Sequence, residues 1–142
     1  MGLIYLDTCL LIYAVESHPV FGSRVMERLA RARPARFAIS PLTMLECLVK
    51  PMREADLALQ RRYEGALAQL EELPLPGPVY RQAAELRAHF GLKTPDALHL
   101  ACAQHHGCDA LWTNDDRLTA AGHGLAHNLF EKLSRDRPRS RR

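Results

Sequence analysis

The sequence predicts an α/β domain, a central and mainly parallel sheet between two helical layers, from three observations. Short apolar runs alternate with stretches of helical period along nearly the whole chain. The runs are apolar on both faces, so both faces of the sheet must be covered. Three helical stretches open on Ser-Pro, Gly-Pro and Thr-Pro, and the last two close on glycine, the usual asymmetry of helix ends.

"LIYL" from Leu3 reads as the first buried strand, and "TCLLIYAV" as a helix with Thr8 as its N-cap. After Pro19, "FGSRVMERLARAR" places Val25, Leu29 and Ala32 on one helical stripe and Arg24, Arg28 and Arg31 on another, which reads as a solvated face. "RFAIS" is the second strand. Ser40 and Pro41 start a helix expected to run to Lys50 and to end at Pro51. "EADLALQRRYEGALAQLEEL" reads as one long helix, closed by the break "PLPGP". Gly77 and Pro78 open the next, ended by Gly91. Thr94 and Pro95, as N-cap and first residue, launch "DALHLACAQHH", ended by Gly107. "DALWT" is a strand, "NDDRLTAAG" a turn and short helix, and "GLAHNLF" a weak last strand.

A chain of 142 residues suits one domain, and 47% hydrophobic with 25% charged residues argues against a disordered chain. The apolar run at the start is too short to span a bilayer and is broken by Asp7, so a cytoplasmic protein without a membrane role is expected. Cys9, Cys47, Cys102 and Cys108 form no disulfide framework and are expected to be thiols. Of the net charge of +3, the last eight residues carry +4, leaving the body slightly acidic. The body is therefore not a basic nucleic-acid glove.

An ionised carboxylate among the apolar residues from Leu3 to Val15 costs several kcal/mol unless something compensates it. Asp7 is that carboxylate, and it ends a strand, where functional groups of open parallel sheets collect. Asp115 and Asp116 follow "ALWT" in the same way. Glu46 shares the i, i+3, i+4, i+7 stripe of Leu42, Leu45 and Val49, which is expected to face the core. Asp96 stands in the first turn of a helix, where a carboxylate is favoured in any case. Four acids brought together repel one another unless a hard cation such as Mg²⁺ or Mn²⁺ neutralises them. Asp7 thus reads as a metal ligand on a rigid strand.

"IYLDTCLLIYAVE", "ISPLTMLECL" and "KTPDALHLACAQHHGCDALWTNDDRL" resemble, in order and spacing, the motifs of PIN-domain ribonucleases of the VapC type, toxins of bacterial toxin–antitoxin pairs. The likeness runs to about Leu129. It implies a PIN-like α/β/α nuclease domain over residues 1–133. The basic tail 134–142 has no apolar periodicity with which to pack, and is expected to be poorly ordered and to add sequence-independent RNA affinity. The resemblance further implies Asp7, Glu46, Asp96 and Asp115 as catalytic metal-binding acids, with Thr8, Thr113 and Asp116 in support. The implied activity is Mg²⁺- or Mn²⁺-dependent endoribonuclease cleavage, with an RNA substrate, a VapB-like antitoxin and a homodimer as partners. His99 stands where such proteins often carry an aliphatic residue.

Two other readings compete. A strand ending in Asp also suits aspartyl-phosphate chemistry, but Cys9 stands where haloacid-dehalogenase-like phosphatases expect a second Asp. A PIN scaffold that only binds RNA or protein would lack one of the four acids, and all are present. Cys102, His105, His106 and Cys108 read as a helix-end cluster without zinc, and His99 as a packed histidine three residues after Asp96, able to touch a ligand from behind. Crowding is expected to raise at least one carboxylate pKa, so that Glu46→Gln leaves the metal-free protein as stable as wild type or more so.

Overall fold

In the computed structural model, which describes residues 2–130, the elements run β1 (Leu3–Leu6), α1 (Thr8–Val15), α2 (Gly22–Arg31), β2 (Arg36–Ile39), α3 (Pro41–Arg53) and α4 (Leu57–Leu67). They continue as β3 (Glu71–Glu72), α5 (Gly77–Phe90), α6 (Thr94–His105), β4 (Ala110–Thr113), α7 (Asp116–Ala121) and β5 (Ala126–Asn128). The arginine-rich tail and the end of the 1–133 domain lie outside the described residues.

The strands form one sheet in the order β3-β2-β1-β4-β5, and every pairing is parallel. Tyr5 lies opposite Ala38 on β2 and Leu111 on β4, so the first strand is the centre of the sheet. Alternate strand residues feed two cores. Tyr5, Ala38, Leu111 and Ala126 pack under Val79, Ala83 and Leu86 of α5 and Leu100 and Ala101 of α6. Ile4, Leu6, Ile39 and Trp112 pack against Leu10, Val25, Cys47, Leu59 and Tyr63 of α1 to α4. This is the three-layer arrangement expected.

Several boundaries differ from the expected ones. Asp7, not Thr8, holds the N-cap position of α1, because Thr8 already has a helical backbone. Lys93 holds it for α6, with Thr94 as the first helical residue. The third helix passes through Pro51 and ends at Arg53. Pro51 lies in the last turn, so the helix loses one amide bond late, and the ring is buried instead of breaking the element. Its carbonyl then accepts from Asp56 N–H at 2.9 Å. The expected long helix over 54–73 is shorter: Ala55 adopts φ 54°, Asp56 caps α4 by accepting from Leu59 N–H at 3.0 Å, and the segment ends in β3. Glu71 and Glu72 carry no strand signature; they pair with Ala38 and Ile39, and Arg36 Nη1 donates to Glu71 Oε1 at 3.0 Å. On α2, Val25 is buried as expected, but Arg28 is not wholly solvated: its guanidinium lies 5.2 Å from the centre of the Trp112 ring. Among the described residues no helix is long and apolar enough to cross a membrane.

Gly122, after α7, shows how closely the last turn approaches β5. A Cβ there would stand 2.7 Å from Ala126 Cβ and 3.0 Å from its nitrogen. Gly122→Ala is expected to destabilise the fold by about 2 kcal/mol through overpacking, measured as a lower urea midpoint with an unchanged slope.

Candidate functional site

Asp7 and Thr113 end the two adjacent strands about which the strand order reverses, the position where open parallel sheets form a crevice. Asp7 is buried, and although it stands at the N-cap of α1 its side chain makes no capping bond. Its Oδ2 accepts instead from the Thr113 hydroxyl at 2.7 Å. Thr113 Oγ1 in turn accepts from the Asp115 backbone N–H at 3.0 Å. One buried hydroxyl therefore fixes the first acid relative to the last. Asp115 caps α7, its Oδ1 accepting from Arg117 N–H at 2.8 Å with Arg117 Nε 3.6 Å away.

Glu46 projects from the second turn of α3, and its Oε1 is engaged twice. Thr8 Oγ1 donates to it at 2.6 Å, and His99 Nε2 lies 2.7 Å away. Asp96, in the first turn of α6, has no hydrogen-bond partner among the described residues and is half-buried. All four acids line one cleft of about 830 Å³, together with Asp116, Thr8 and Arg117. Asp116 is exposed, and its Oδ1 accepts from Asn128 Nδ2 at 2.9 Å, which makes it a rim residue tied to β5.

The PIN domain family model matches residues 4–124 of this fold. The chain belongs to the PIN domain family. Solved structures agree with this PIN domain in fold. A toxin–antitoxin complex from Klebsiella pneumoniae has a TM-score of 0.74 at 25% identity, covering 89% of this chain and 97% of that one. A DNA-bound VapBC from Salmonella typhimurium has 0.70 at 22%, covering 91% and 99%. VapC20 from Mycobacterium tuberculosis, a sarcin–ricin-loop-cleaving toxin, has 0.70 at 16%, covering 84% and 95%. No curated protein matches the chain.

The PIN fold brings Asp7, Glu46, Asp96 and Asp115 to one cleft, as the sequence predicts, but Glu46 arrives there by a different face of α3. The buried residues of that helix are Thr43, Cys47 and Pro51, whereas Leu45 is 57% and Val49 47% exposed. Leu45, Glu46 and Val49 of the predicted stripe thus form a wall of the cleft, whereas Leu42 packs against the core as expected. Leu45 and Val49 read as core because an apolar stripe does not reveal whether it packs on protein or borders a cleft.

The charges also divide differently from the expectation. Burial, then the Asp7 and Asp115 charges, hold the Asp96 carboxyl above its ordinary range. Burial pushes Glu46 up as well, but the His99 hydrogen bond and charge, then the Thr8 hydroxyl, outweigh it and leave Glu46 below its ordinary range. Asp96, not Glu46, is the acid whose ionised form is disfavoured, by burial first and by its neighbours' charges second. Burial, then the Asp7 charge, push the Cys9 thiol far up, so it borders the cleft as a neutral thiol rather than a nucleophile.

Among the described residues no three His, Cys, Asp or Glu side chains are drawn into coordinating geometry. The donor set is nonetheless all carboxylate, and protein donors hold one oxygen each of Asp7, Glu46 and Asp115. That chemistry fits a hard divalent cation, whose ligands are oriented by hydrogen bonds from behind. Sequence reasoning missed the cleft's outer part, Ile12, Tyr13, Asn114 and Arg117. Only their nearness to Thr8 and Asp115 in sequence could have marked them.

Thr113→Val keeps the side-chain shape but strips a donor from Asp7 and an acceptor from Asp115 N–H. We expect it to cost about 2 kcal/mol despite being nearly isosteric, because both partners are left with unmet hydrogen bonds. Chemical denaturation against wild type measures this; an unchanged midpoint would mean that water replaces the hydroxyl.

Proposed function

We propose that this PIN domain is a Mg²⁺- or Mn²⁺-dependent endoribonuclease acting as the toxin of a cytoplasmic toxin–antitoxin pair. The observation that carries the reading is the convergence of Asp7, Glu46, Asp96 and Asp115, from β1, α3, α6 and the end of β4, on one cleft. When bound, the cation supplies Lewis-acid activation of water and charge stabilisation at the phosphodiester. Asp7, Glu46, Asp96 and Asp115 are the residues that would hold it.

The chain's own groups do the rest. Thr113 holds Asp7 by Oδ2, and Thr8 holds Glu46 by Oε1, so both acids are oriented before substrate arrives. Asp96 has no hydrogen-bond donor among the described residues and its ionised form is disfavoured by burial and by the Asp7 and Asp115 charges, so it gains from a cation. Arg117, exposed on the cleft rim beside Asp115, supplies a cation for a backbone phosphate. The expected products carry a 5′-phosphate and a 3′-hydroxyl.

A VapB-like antitoxin that blocks the cleft, supported by toxin–antitoxin complexes among the similar folds, and a homodimer, which the resemblance alone implies, complete the proposal. The test is cleavage of single-stranded and looped RNA with Mg²⁺, with EDTA, and by Asp7→Asn. Cleavage that survives EDTA or Asp7→Asn overturns the assignment; RNA binding without cleavage would leave a binding scaffold instead.

A further inference from the structure

His99 is only 1% exposed and lies within a run of α6 in which Ala97 to Ala103 are all buried. Both of its ring nitrogens are engaged. Nδ1 is 2.6 Å from the Tyr5 hydroxyl, while Nε2 is 2.7 Å from Glu46 Oε1 and 3.2 Å from Thr8 Oγ1. The Tyr5 hydroxyl is also 2.8 Å from Ser40 Oγ, and Ser40 is the N-cap of the helix that carries Glu46. The contacts close a ring: from β1 through Ser40 into α3, across Glu46 to α6, and back to β1. Those three elements carry or adjoin Asp7, Glu46 and Asp96.

We propose that His99 is a positioning residue for the cleft: it clamps Glu46 by Oε1, so that Oε2 is the oxygen presented to a cation. The inference rests on the metal-dependent reading above. An ionised carboxylate can only accept, so Nε2 must be the donor to Glu46. The Tyr5 hydroxyl has one proton: while it donates to Ser40 Oγ its oxygen accepts from Nδ1, and it donates to Nδ1 only when Ser40 supplies the proton between the two hydroxyls; Nε2 donates to Glu46 in either arrangement. A histidine that served only to satisfy Tyr5 would need Nδ1 alone. Here the second nitrogen reaches past the core to a side chain of the cleft, and Glu46 Oε2 keeps no hydrogen-bond partner among the described residues. Thr8 and His99 approach the same oxygen, so together they leave one coordinating atom rather than a bidentate pair.

The experiment is calorimetric titration of the full chain with Mn²⁺ alone, beside RNA cleavage kinetics, for wild type, His99→Leu, His99→Gln, His99→Asn and Tyr5→Phe. His99→Leu is expected to weaken Mn²⁺ binding about tenfold or more and to lower kcat at subsaturating metal, with KM for RNA unchanged. His99→Gln can place an amide N–H against Glu46 and should recover most of the loss. His99→Asn reaches only Tyr5 and should not. Tyr5→Phe, which keeps the ring in the core and removes only its hydroxyl, should show a smaller loss of Mn²⁺ affinity, and it carries the test if His99→Leu fails to fold. Wild-type affinity in His99→Leu overturns the inference, and so do equal losses in the Gln and Asn variants, which would make the role one of packing. Wild type that neither binds Mn²⁺ nor cleaves RNA overturns the metal-dependent reading itself.

Discussion

Asp7→Asn is expected to reduce Mg²⁺-dependent RNA cleavage by about a thousandfold, ~4 kcal/mol of lost transition-state stabilisation, while the chain stays folded. The two halves of that expectation have separate causes. Asp7 is the acid on the central strand, held by Thr113 and buried in the cleft floor, so no neighbouring carboxylate can take its place. The fold survives because an amide oxygen still accepts from Thr113 and because Asn suits the N-cap position of α1 as well as Asp does. Cleavage rates beside thermal melts separate the two. A folded variant that still cuts would move the chemistry out of this cleft.

Asp96→Asn and Glu46→Gln should move metal-free stability in opposite directions near neutral pH. Asp96 is raised above its ordinary 3.8, so the folded state binds more protons than the unfolded one; its contribution is present below 3.8 and is lost as pH rises through the raised value. At neutral pH its charge therefore costs stability, and Asp96→Asn should melt higher than wild type, with the gain fading in acid. Glu46 is lowered from its ordinary 4.5, so it contributes stability above that value and loses it as pH falls through the lowered one. Glu46→Gln should accordingly melt lower at neutral pH, contrary to what crowding alone suggests from the sequence. For a chain of this size each kcal/mol is worth roughly 3 °C. Mg²⁺ at a hundred times its dissociation constant should add ~2.7 kcal/mol to wild type, or roughly 8 °C, and less to either variant. Melts at pH 4 and pH 7, with EDTA and with Mg²⁺, check all four signs. Equal shifts of the two variants without metal would refute the division of charge between them.

The layers and the parallel sheet were legible because each rests on a local pattern, apolar runs and proline and glycine at helix ends, and Asp7 stood out as an aspartate closing a strand; that Glu46 and Asp96 share its cleft was legible only through the motifs. What escaped the sequence depends on neighbours far along the chain. Pro51 ends a helix by local rules, yet here it is buried in the final turn. Glu71 and Glu72 become a strand only because the edge of β2 lies beside them. Leu45 and Val49 look like core residues, and only the position of α3 over the crevice makes them a cleft wall. The gathering of four acids suggested repulsion at Glu46, but a histidine fifty-three residues away outweighs burial and leaves Glu46 below its ordinary range. Spacing finds which residues share a face; it does not find who stands opposite.

The bond between Thr113 and Asp7 spans 106 residues and ties the end of the first strand to that of the fourth of five. During synthesis at about 5–20 residues per second, roughly 5–20 s pass between the appearance of Asp7 and that of its partner. Until then β1 lacks its β4 neighbour, and neither Asp115 nor its helix exists. The ribosome thus releases no working cleft before nearly the whole domain has emerged, and a product truncated ahead of β4 carries three of the four acids but cannot bring them to a common crevice. Whatever chemistry the cleft performs, the order of the chain delays it to the last part of synthesis.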